Sequence, residues 1–204
     1  MNTRRILGVA LVLALTVSVH ANYVKNFSFE QPGTGKFSNW EEVPFWSSDV
    51  IAADSGVESG WPGSTHGDWA GFLMSGDPSV WQLTGAVIEA GEVYTLQVDA
   101  RDNWSETTPA KLGLFLYYDN AGSRTPVAMA VVDLLGDGQE PWATYTLTFS
   151  ADDIPAAIGK QIGVELINFS ATNSWIGIDN VRLVPEPMTL ALLGLGGLFL
   201  RKRR

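Results

Sequence analysis

Hydrophobic and polar residues alternate over short stretches along most of the chain, and glycine, proline, asparagine and aspartate separate these stretches. No stretch between residues 23 and 184 keeps the apolar period of a helix, so the pattern predicts an all-β fold. The predicted strands cover residues 22–30, 44–52, 69–74, 80–85, 92–101, 111–119, 126–135, 142–151, 160–170 and 174–184.

The number and shortness of these strands indicate how they pack. A sheet needs cover for its apolar side, and the chain has no predicted helix to provide it, so two sheets are expected to face each other. The glycine-rich segment 55–68 is predicted to be a long loop. The expected fold is therefore a two-sheet β-sandwich.

The first 21 residues have the layout of a secretory signal peptide. Arg4 and Arg5 precede an apolar stretch over residues 6–19, and Ala21 stands where signal peptidase cuts, so Asn22 is predicted to become the new N-terminus. The apolar stretch is about 14 residues long, whereas a membrane-spanning helix needs roughly 20. A permanent N-terminal anchor is therefore disfavoured.

The charge of the predicted domain, residues 22–184, excludes one class of partner. It holds 7 of the 13 Lys and Arg residues and 21 of the 22 Asp and Glu residues, which gives 7 − 21 = −14. A domain of this sign repels phosphate backbones, so nucleic acid is not an expected partner. The chain has no cysteine, so disulfides and thiolate metal sites are excluded as well.

The C-terminal segment, residues 185–204, has three parts: Pro185-Glu186-Pro187, an apolar stretch over residues 188–200, and a basic cluster of Arg201, Lys202, Arg203 and Arg204. This layout resembles the PEP-CTERM sorting signal. The resemblance implies export from a Gram-negative bacterium, transient inner-membrane association through residues 188–200, and cleavage by an exosortase. The mature protein would reach the cell surface or the extracellular matrix. A permanent anchor is disfavoured, because the apolar stretch has about 13 residues against roughly 20 for a span.

Alternation along the last predicted strand draws attention to Asp179. It places Trp175, Asp179, Val181 and Leu183 on one face of the strand. A carboxylate that faces a core is costly unless it is paired, hydrogen-bonded or bound to a metal. The pattern leaves two alternatives open: a metal ligand, or an aspartate at a β-bulge that bonds to backbone amides.

Four short motifs bracket the domain, at residues 26–30, 43–46, 94–98 and 178–183. They resemble the calcium-containing jelly rolls of the galactose-binding-like group, which includes many carbohydrate-binding modules. The resemblance implies that Glu30 and Asp179 help to hold a structural calcium ion. Backbone carbonyls would supply further ligands, since calcium takes about 6–8 oxygens.

Two of the tryptophans lie in polar loop sequences and are candidate ligand-binding residues. Trp61 and Trp104 could stack on the apolar C–H faces of sugar rings, with packing within the loops as the alternative. The other tryptophans stand at strand starts or within strands and are predicted to be core or sheet-edge residues. These are Trp40, Trp46, Trp69, Trp81, Trp142 and Trp175.

Motifs for catalysis are sparse. His66 is the one histidine after the signal peptide, and no Ser-His-Asp or phosphate-loop pattern accompanies it, so it is predicted to be an exposed loop residue. The predicted function is therefore a non-enzymatic, exported β-sandwich that binds polysaccharide. The alternatives are a structural matrix protein without a ligand and a calcium-dependent jelly-roll enzyme, either a cyclase or a hydrolase.

Overall fold

The structure is a computed structural model, and it describes residues 21–49, 54–61, 63–77, 79–106, 109–135, 141–171 and 173–186. Most of the predicted signal peptide, Pro187, the apolar stretch 188–200 and the basic cluster lie outside the described residues. Within the described residues, no helix has the length and apolar character that crossing a membrane requires.

The described residues form eleven β-strands and three short 3-10 turns. The turns are Trp40–Glu42, Ala151–Asp153 and Pro155–Ala157. The strands, in chain order, are β1 Phe37–Asn39, β2 Ser47–Ser48, β3 Gly56–Ser59, β4 Trp69–Met74, β5 Val80–Val87, β6 Val93–Ser105, β7 Lys111–Asn120, β8 Ser123–Asp133, β9 Ala143–Ser150, β10 Gln161–Asn168 and β11 Ser174–Pro185.

These strands build two antiparallel sheets, which confirms the prediction of an all-β, two-sheet sandwich. The six-stranded sheet has the order β1-β3-β4-β11-β6-β9, and the five-stranded sheet has the order β2-β5-β10-β7-β8. The core lies between them and includes the fully buried side chains of Leu96, Leu114, Val164 and Ile178. Burial of such side chains, each worth about 1.5–3 kcal/mol, is the main source of stability in a chain without cysteine.

Alternation along β10 shows how each strand divides its residues between core and outer surface. Ile162, Val164 and Leu166 are fully buried between the sheets. Gly163 and Glu165 therefore point to the outer side of the five-stranded sheet. A charged residue in the middle of this strand thus sits on the outer surface of the sandwich.

Two predicted strands and one predicted loop differ from the structure. Residues 22–30 form turns rather than a strand, because Asn26 and Phe29 have positive φ angles of 47° and 59°. Of residues 44–52, only Ser47–Ser48 pair as β2 among those described. The segment predicted as a loop contains a strand, Gly56–Ser59, which pairs with β1 and β4.

Asp179 does not share a face with Val181 and Leu183, which lie in the core. The predicted alternation along β11 is therefore wrong in its C-terminal half. The pairing of β11 with β6 shifts register between Asp179 and Arg182, and Asn180 has a φ of 51°. This bulge turns the strand over, so Ile178 and Val181 both point into the core. Asp179 points outward, on the face that also carries Trp175.

Both ends of the described domain are bonded into the sandwich. The side chain of Asn22 donates to the carbonyl of Val181 and accepts from the amide of Leu183. At the other end, the Glu186 amide donates to Val93, and Thr95 donates to the Glu186 carboxylate at 2.6 Å. The hydrogen-bonded fold therefore runs from Asn22 to Glu186.

Candidate functional site

The outer side of the five-stranded sheet carries an acidic side chain between two aromatic rings. Glu165 on β10 lies directly opposite Trp81 on β5 and opposite Phe115 on β7. Met129 on β8 continues the same row beside Phe115. Directly opposed residues have their Cβ atoms about 4.5–5.5 Å apart, so the carboxylate is flanked by the rings of Trp81 and Phe115, which we call the aromatic wall. Its side chain is only 17% exposed.

Arg124, near the start of β8, brings a positive charge to this acid. Its guanidinium lies over the Trp81 ring, 3.7 Å from the ring centroid. Arg124 Nη2 is 2.7 Å from the Asp49 carboxylate, and Nε is 3.6 Å from Glu165 Oε2. The other oxygen of Glu165 accepts a hydrogen bond from the Ser79 hydroxyl. One cation is thus shared by two carboxylates on the face of an indole ring.

Tyr117 adds a buried hydroxyl next to these groups. It lies opposite Gly163 on the neighbouring strand, and its ring covers that glycine: a Cβ added to Gly163 would be 2.2 Å from Cζ of Tyr117. The Tyr117 hydroxyl is buried and has no hydrogen-bond partner within the part of the chain that the structure describes. Burial raises the pKa of Tyr117, and the charges of Glu165 and Asp119 raise it further while Arg124 lowers it. The hydroxyl therefore stays protonated and available as a donor.

We call this group, formed by Trp81, Phe115, Tyr117, Arg124 and Glu165, the Glu165 cluster. Its residues come from four strands, β5, β7, β8 and β10. Sequence reasoning missed it because no spacing along the chain joins these positions. Two signals were present: a glutamate in the middle of an apolar strand, and a tryptophan at an alternate position in β5.

The two tryptophans predicted to bind sugar lie on the outer side of the other sheet. Trp61 packs edge-on against Phe72 of β4, with ring centroids 5.5 Å apart, and Trp104 packs against Trp175 at 5.2 Å. Trp61 is 38% exposed and Trp104 is 45% exposed. Both therefore combine packing within the surface with an accessible ring.

The remaining tryptophans divide into two groups. Trp40, Trp46 and Trp69 are buried in the core between the sheets, as predicted. Trp81 belongs to the Glu165 cluster. Trp142 and Trp175 are half-buried on the outer side of the six-stranded sheet. Trp142 directly precedes the edge strand β9, in agreement with the prediction, whereas Trp175 lies on the central strand β11 and is neither a core nor a sheet-edge residue.

Glu30 and Asp179, the predicted calcium ligands, hold opposite ends of one loop. Asp179 Oδ2 accepts from the backbone amides of Thr65 at 2.6 Å and His66 at 2.9 Å. Glu30 Oε1 accepts from the amides of Asp68 and Trp69, both at 3.0 Å. Two carboxylates from distant parts of the chain thus hold residues 65–69 in place. We call Glu30, Asp179 and residues 65–69 the loop clamp.

The environment of Asp179 matches the second alternative drawn from the sequence, an aspartate at a bulge that bonds to backbone amides. Its other oxygen, Oδ1, accepts from the Asn180 amide at 2.6 Å. The side chain is fully buried, and burial raises its pKa while the hydrogen bonds from Thr65, His66 and Asn180 lower it. The structure shows no salt bridge to Asp179 within its described part.

The oxygens around this clamp are of the kind that calcium prefers, but they form an incomplete set. The hydrogen bonds from Asp68 and Trp69 both go to Oε1 of Glu30, and Gly67 packs so tightly that an added Cβ would be 2.3 Å from the same oxygen. Across the described ranges, no three His, Cys, Asp or Glu side chains come together as a metal site. Backbone carbonyls would have to complete the coordination.

His66 belongs to the clamped loop and is exposed. Its ring contacts Phe27 at 5.1 Å between centroids, and its amide, rather than its imidazole, bonds to Asp179. The prediction that His66 is an exposed loop residue is in agreement with this position.

Comparison with known proteins points to a catalytic family. The family of HpiC1-like cyclases, described by the HpiC1 cyclase, matches residues 20–184. No curated protein matches the chain by sequence. The predicted function, a non-enzymatic polysaccharide-binding protein, is therefore wrong in its central point, because the matching family is one of enzymes.

Several solved structures share the sandwich. A cyclase from Fischerella sp. TAU in complex with 4-(1H-indol-3-yl)butan-2-one has a TM-score of 0.64 at 20% identity, over 80% of this chain and 96% of that chain. A Stig cyclase from the same organism, in complex with an indole derivative, has a TM-score of 0.63 at 21% identity, over 81% and 97%. TmCBM61 in complex with β-1,4-galactotriose has a TM-score of 0.53 at 21% identity, over 81% and 99%. At these identities the likeness establishes the fold alone.

Proposed function

Since the chain belongs to the family of HpiC1-like cyclases, we propose that it is an enzyme that closes a ring in an aromatic small molecule at the Glu165 cluster. One observation carries the choice of site. The acidic side chain of Glu165 lies directly between two aromatic residues, Trp81 and Phe115, on an outward sheet face. An acid within an aromatic wall is what proton-driven ring closure needs.

The proposed reaction is an isomerisation, so it needs no oxidant or reductant. In the proposed step Glu165 acts as the general acid and transfers a proton to an electron-rich carbon of the substrate, which leaves a cation on the neighbouring carbon. A second π bond of the same molecule then supplies the electron pair for the new C–C bond. Loss of a proton from another carbon to the Glu165 carboxylate restores both the neutral product and the acid.

The aromatic wall supports this chemistry by stabilising positive charge. Ring faces attract cations, with a gain of about 2 kcal/mol or more when water is excluded. Trp81 already attracts one cation, the Arg124 guanidinium, which lies 3.7 Å from its ring centroid, and this contact supports a role of the cluster's aromatic rings in stabilising positive charge. The Tyr117 hydroxyl, which is buried and has no partner among the described residues, would donate a hydrogen bond to a polar group of the substrate.

The substrate class rests on the size and chemistry of the surface together with the relatives. Trp81 and Phe115 flank the acid, and the exposed apolar residues Leu83 and Met129 extend the surface on either side. A cyclase from Fischerella sp. TAU is in complex with 4-(1H-indol-3-yl)butan-2-one. An indole or a similarly flat aromatic system with an unsaturated side chain is the proposed substrate.

Calcium is proposed as a structural ion at the loop clamp. Glu30, Asp179 and carbonyl oxygens of residues 64–68 would hold it, and it would fix the loop without taking part in the reaction. What supports the proposal is the oxygen-only donor set and the tight packing of Gly67 against Glu30.

Export is part of the proposal as well. Signal peptidase would release the chain after Ala21, and an exosortase would cut near Pro185-Glu186-Pro187, leaving an enzyme at the cell surface or in the extracellular matrix. N-terminal sequencing and intact mass of the native protein test this: the expected mature chain starts at Asn22 and lacks the basic cluster. A native protein that begins at Met1 and ends at Arg204 would contradict it.

The activity is tested with a panel of indoles that carry unsaturated side chains, using liquid chromatography and mass spectrometry. The expected product has the mass of its substrate and a new retention time. Glu165→Gln keeps the shape of the side chain but removes the carboxylic acid, so it should abolish turnover. Binding of 4-(1H-indol-3-yl)butan-2-one, followed by tryptophan fluorescence, should persist in this variant.

Glu58→Gln provides a matched control. Glu58 is a half-buried acid on the outer side of the other sheet, and burial raises its pKa despite the nearby Lys36. Its replacement should leave turnover unchanged. Equal turnover in Glu165→Gln and the unmodified protein would refute the assigned role, and a loss in both variants would place the chemistry elsewhere.

A further inference from the structure

The outer side of the six-stranded sheet carries four of the chain's eight tryptophans, Trp61, Trp104, Trp142 and Trp175. We call it the tryptophan face, and we infer that it binds a neutral polysaccharide. The Glu165 cluster lies on the opposite sheet, so this second site does not depend on the proposed cyclase activity.

The tryptophan face is assembled across three central strands. Trp175 of β11 lies opposite Trp104 of β6 and opposite Met74 of β4. The Trp175 indole N–H donates to the carbonyl of Asp54 at 3.0 Å, which helps to hold the ring in position. Trp104 packs against it with centroids 5.2 Å apart. The exposed ring of Trp104 therefore packs on one side against Trp175.

Trp61 forms the second ring of the surface. It contacts Phe72, which lies opposite Gly177 in the row next to Trp175. The loop that follows Trp61 is held by Asp179 through the amides of Thr65 and His66. The ring is thus positioned in advance on the same face as Trp104, which lowers the entropic cost of binding.

A buried amide group, that of Asn103, lies on the same face close to Gly177 and Trp142. Asn103 is 1% exposed, and its Nδ2 finds no hydrogen-bond acceptor among the described residues. Its Oδ1 accepts from Arg101 Nε at 2.6 Å, which orients the amide. Asn103 reaches over Gly177, where an added Cβ would be 2.9 Å both from Nδ2 and from the Trp142 ring. Buried donors are nearly always satisfied, so this one points to a ligand acceptor.

The combination of ring faces and an amide donor fits a sugar. A pyranose ring presents flat C–H surfaces to tryptophan and hydroxyl oxygens to a donor such as Asn103 Nδ2. A small apolar ligand would leave that donor unsatisfied.

Charge decides between a neutral polysaccharide and other large partners. Residues 22–184 hold 7 basic and 21 acidic residues, which gives a net charge of 7 − 21 = −14. This charge disfavours an acidic polysaccharide and a second copy of the chain, because both would be repelled. A neutral polysaccharide has no such penalty.

Affinity electrophoresis in native gels tests the inference with soluble polysaccharides as probes. The gels contain xylan, β-glucan, galactan or galactomannan, and carboxymethylcellulose serves as the acidic probe. The purified protein should be retarded by at least one neutral polysaccharide and not by carboxymethylcellulose. Trp104→Ala and Trp61→Ala should each weaken the retardation about tenfold or more, as expected for a central aromatic contact.

Phe169→Ala is the matched control, because Phe169 is 43% exposed and packs against Phe115 on the other sheet. It should not change the retardation, and neither should Glu165→Gln, which separates this site from the cyclase proposal. Asn103→Ala is a second test of the same surface, and thermal melting shows whether each variant is folded.

Two results would overturn the inference. One is the absence of retardation by every neutral polysaccharide. The other is a concentration-dependent dimer in sedimentation velocity that Trp104→Ala dissociates, in the absence of polysaccharide binding, since the tryptophan face would then be an interface between copies of the chain.

Discussion

Replacing Asp179 by asparagine is expected to remove the response of thermal stability to calcium. Asp179 Oδ2 accepts from the amides of Thr65 and His66, and Oδ1 accepts from the amide of Asn180. Asparagine has a single acceptor oxygen, so its amide group would point an N–H at a backbone N–H on one side of the residue. Leaving one buried donor unsatisfied costs about 1–3 kcal/mol.

The expected magnitude depends on calcium. In chelator the cost of the unsatisfied donor is partly offset, because a buried carboxylate no longer has to be desolvated. With calcium at about 100 times its Kd, an ion that binds only the folded state adds about 2.7 kcal/mol. For a domain of this size each kcal/mol shifts Tm by about 2–4 °C. Calcium should therefore raise the Tm of the unmodified protein by about 5–11 °C and leave that of Asp179→Asn unchanged.

Differential scanning calorimetry in EDTA and in excess calcium chloride measures both proteins. Asp133→Asn is the matched control, because Asp133 is 59% exposed and pairs with Lys111 at the surface, where an ion pair contributes about 0–1 kcal/mol. This control should keep the full calcium response. If the unmodified protein melts at the same temperature in both buffers, or if Asp179→Asn responds as strongly as the control, the loop clamp does not bind calcium.

Two further predictions concern stability. Gly163→Ala would place a Cβ 2.2 Å from the Tyr117 ring, and overpacking of this kind costs about 1–3 kcal/mol; an unchanged urea midpoint would show that Tyr117 does not lie over Gly163. Burial raises the pKa of Tyr94 and Tyr117, so their contribution to stability is complete below the unfolded pKa of about 10 and is lost as the pH rises through the raised values. Absorbance at alkaline pH should show these tyrosines ionising later than in the unfolded chain, and coincident titration curves would contradict this.

The longer strands could be predicted from the sequence because their side chains alternate. In β10, for example, the buried residues Ile162, Val164 and Leu166 are separated by outward positions. The segment 22–30 has a similar pattern but forms turns. Its buried residues, such as Val24, pack into the core while side chains satisfy the backbone, as when Gln82 accepts from the Lys25 amide.

The orientation of Asp179 could not be predicted, because one residue decided it. A bulge at Asn180, with its positive φ of 51°, reverses the alternation of every residue that follows. The alternation drew attention to Asp179, which is buried and bonded to backbone amides, but assigned it to the opposite side of the sheet.

The Glu165 cluster could not be predicted for a different reason. Trp81, Phe115, Arg124 and Glu165 come from four strands, and only the strand order of the sheet brings them together. The sequence showed an excess of aromatic residues and suggested that some bind a ligand. Which of them surround an acid follows from the cross-strand register.

Proton transfer from Glu165 to a substrate carbon is tested most directly by running the reaction in D2O with an indole substrate identified from the panel. The Glu165 carboxyl exchanges its proton with solvent, so ring closure should leave one deuterium on a carbon of the product. Mass spectrometry and NMR locate it. Glu165→Gln should form no labelled product. A cyclised product that contains no deuterium would contradict acid-initiated ring closure at this site.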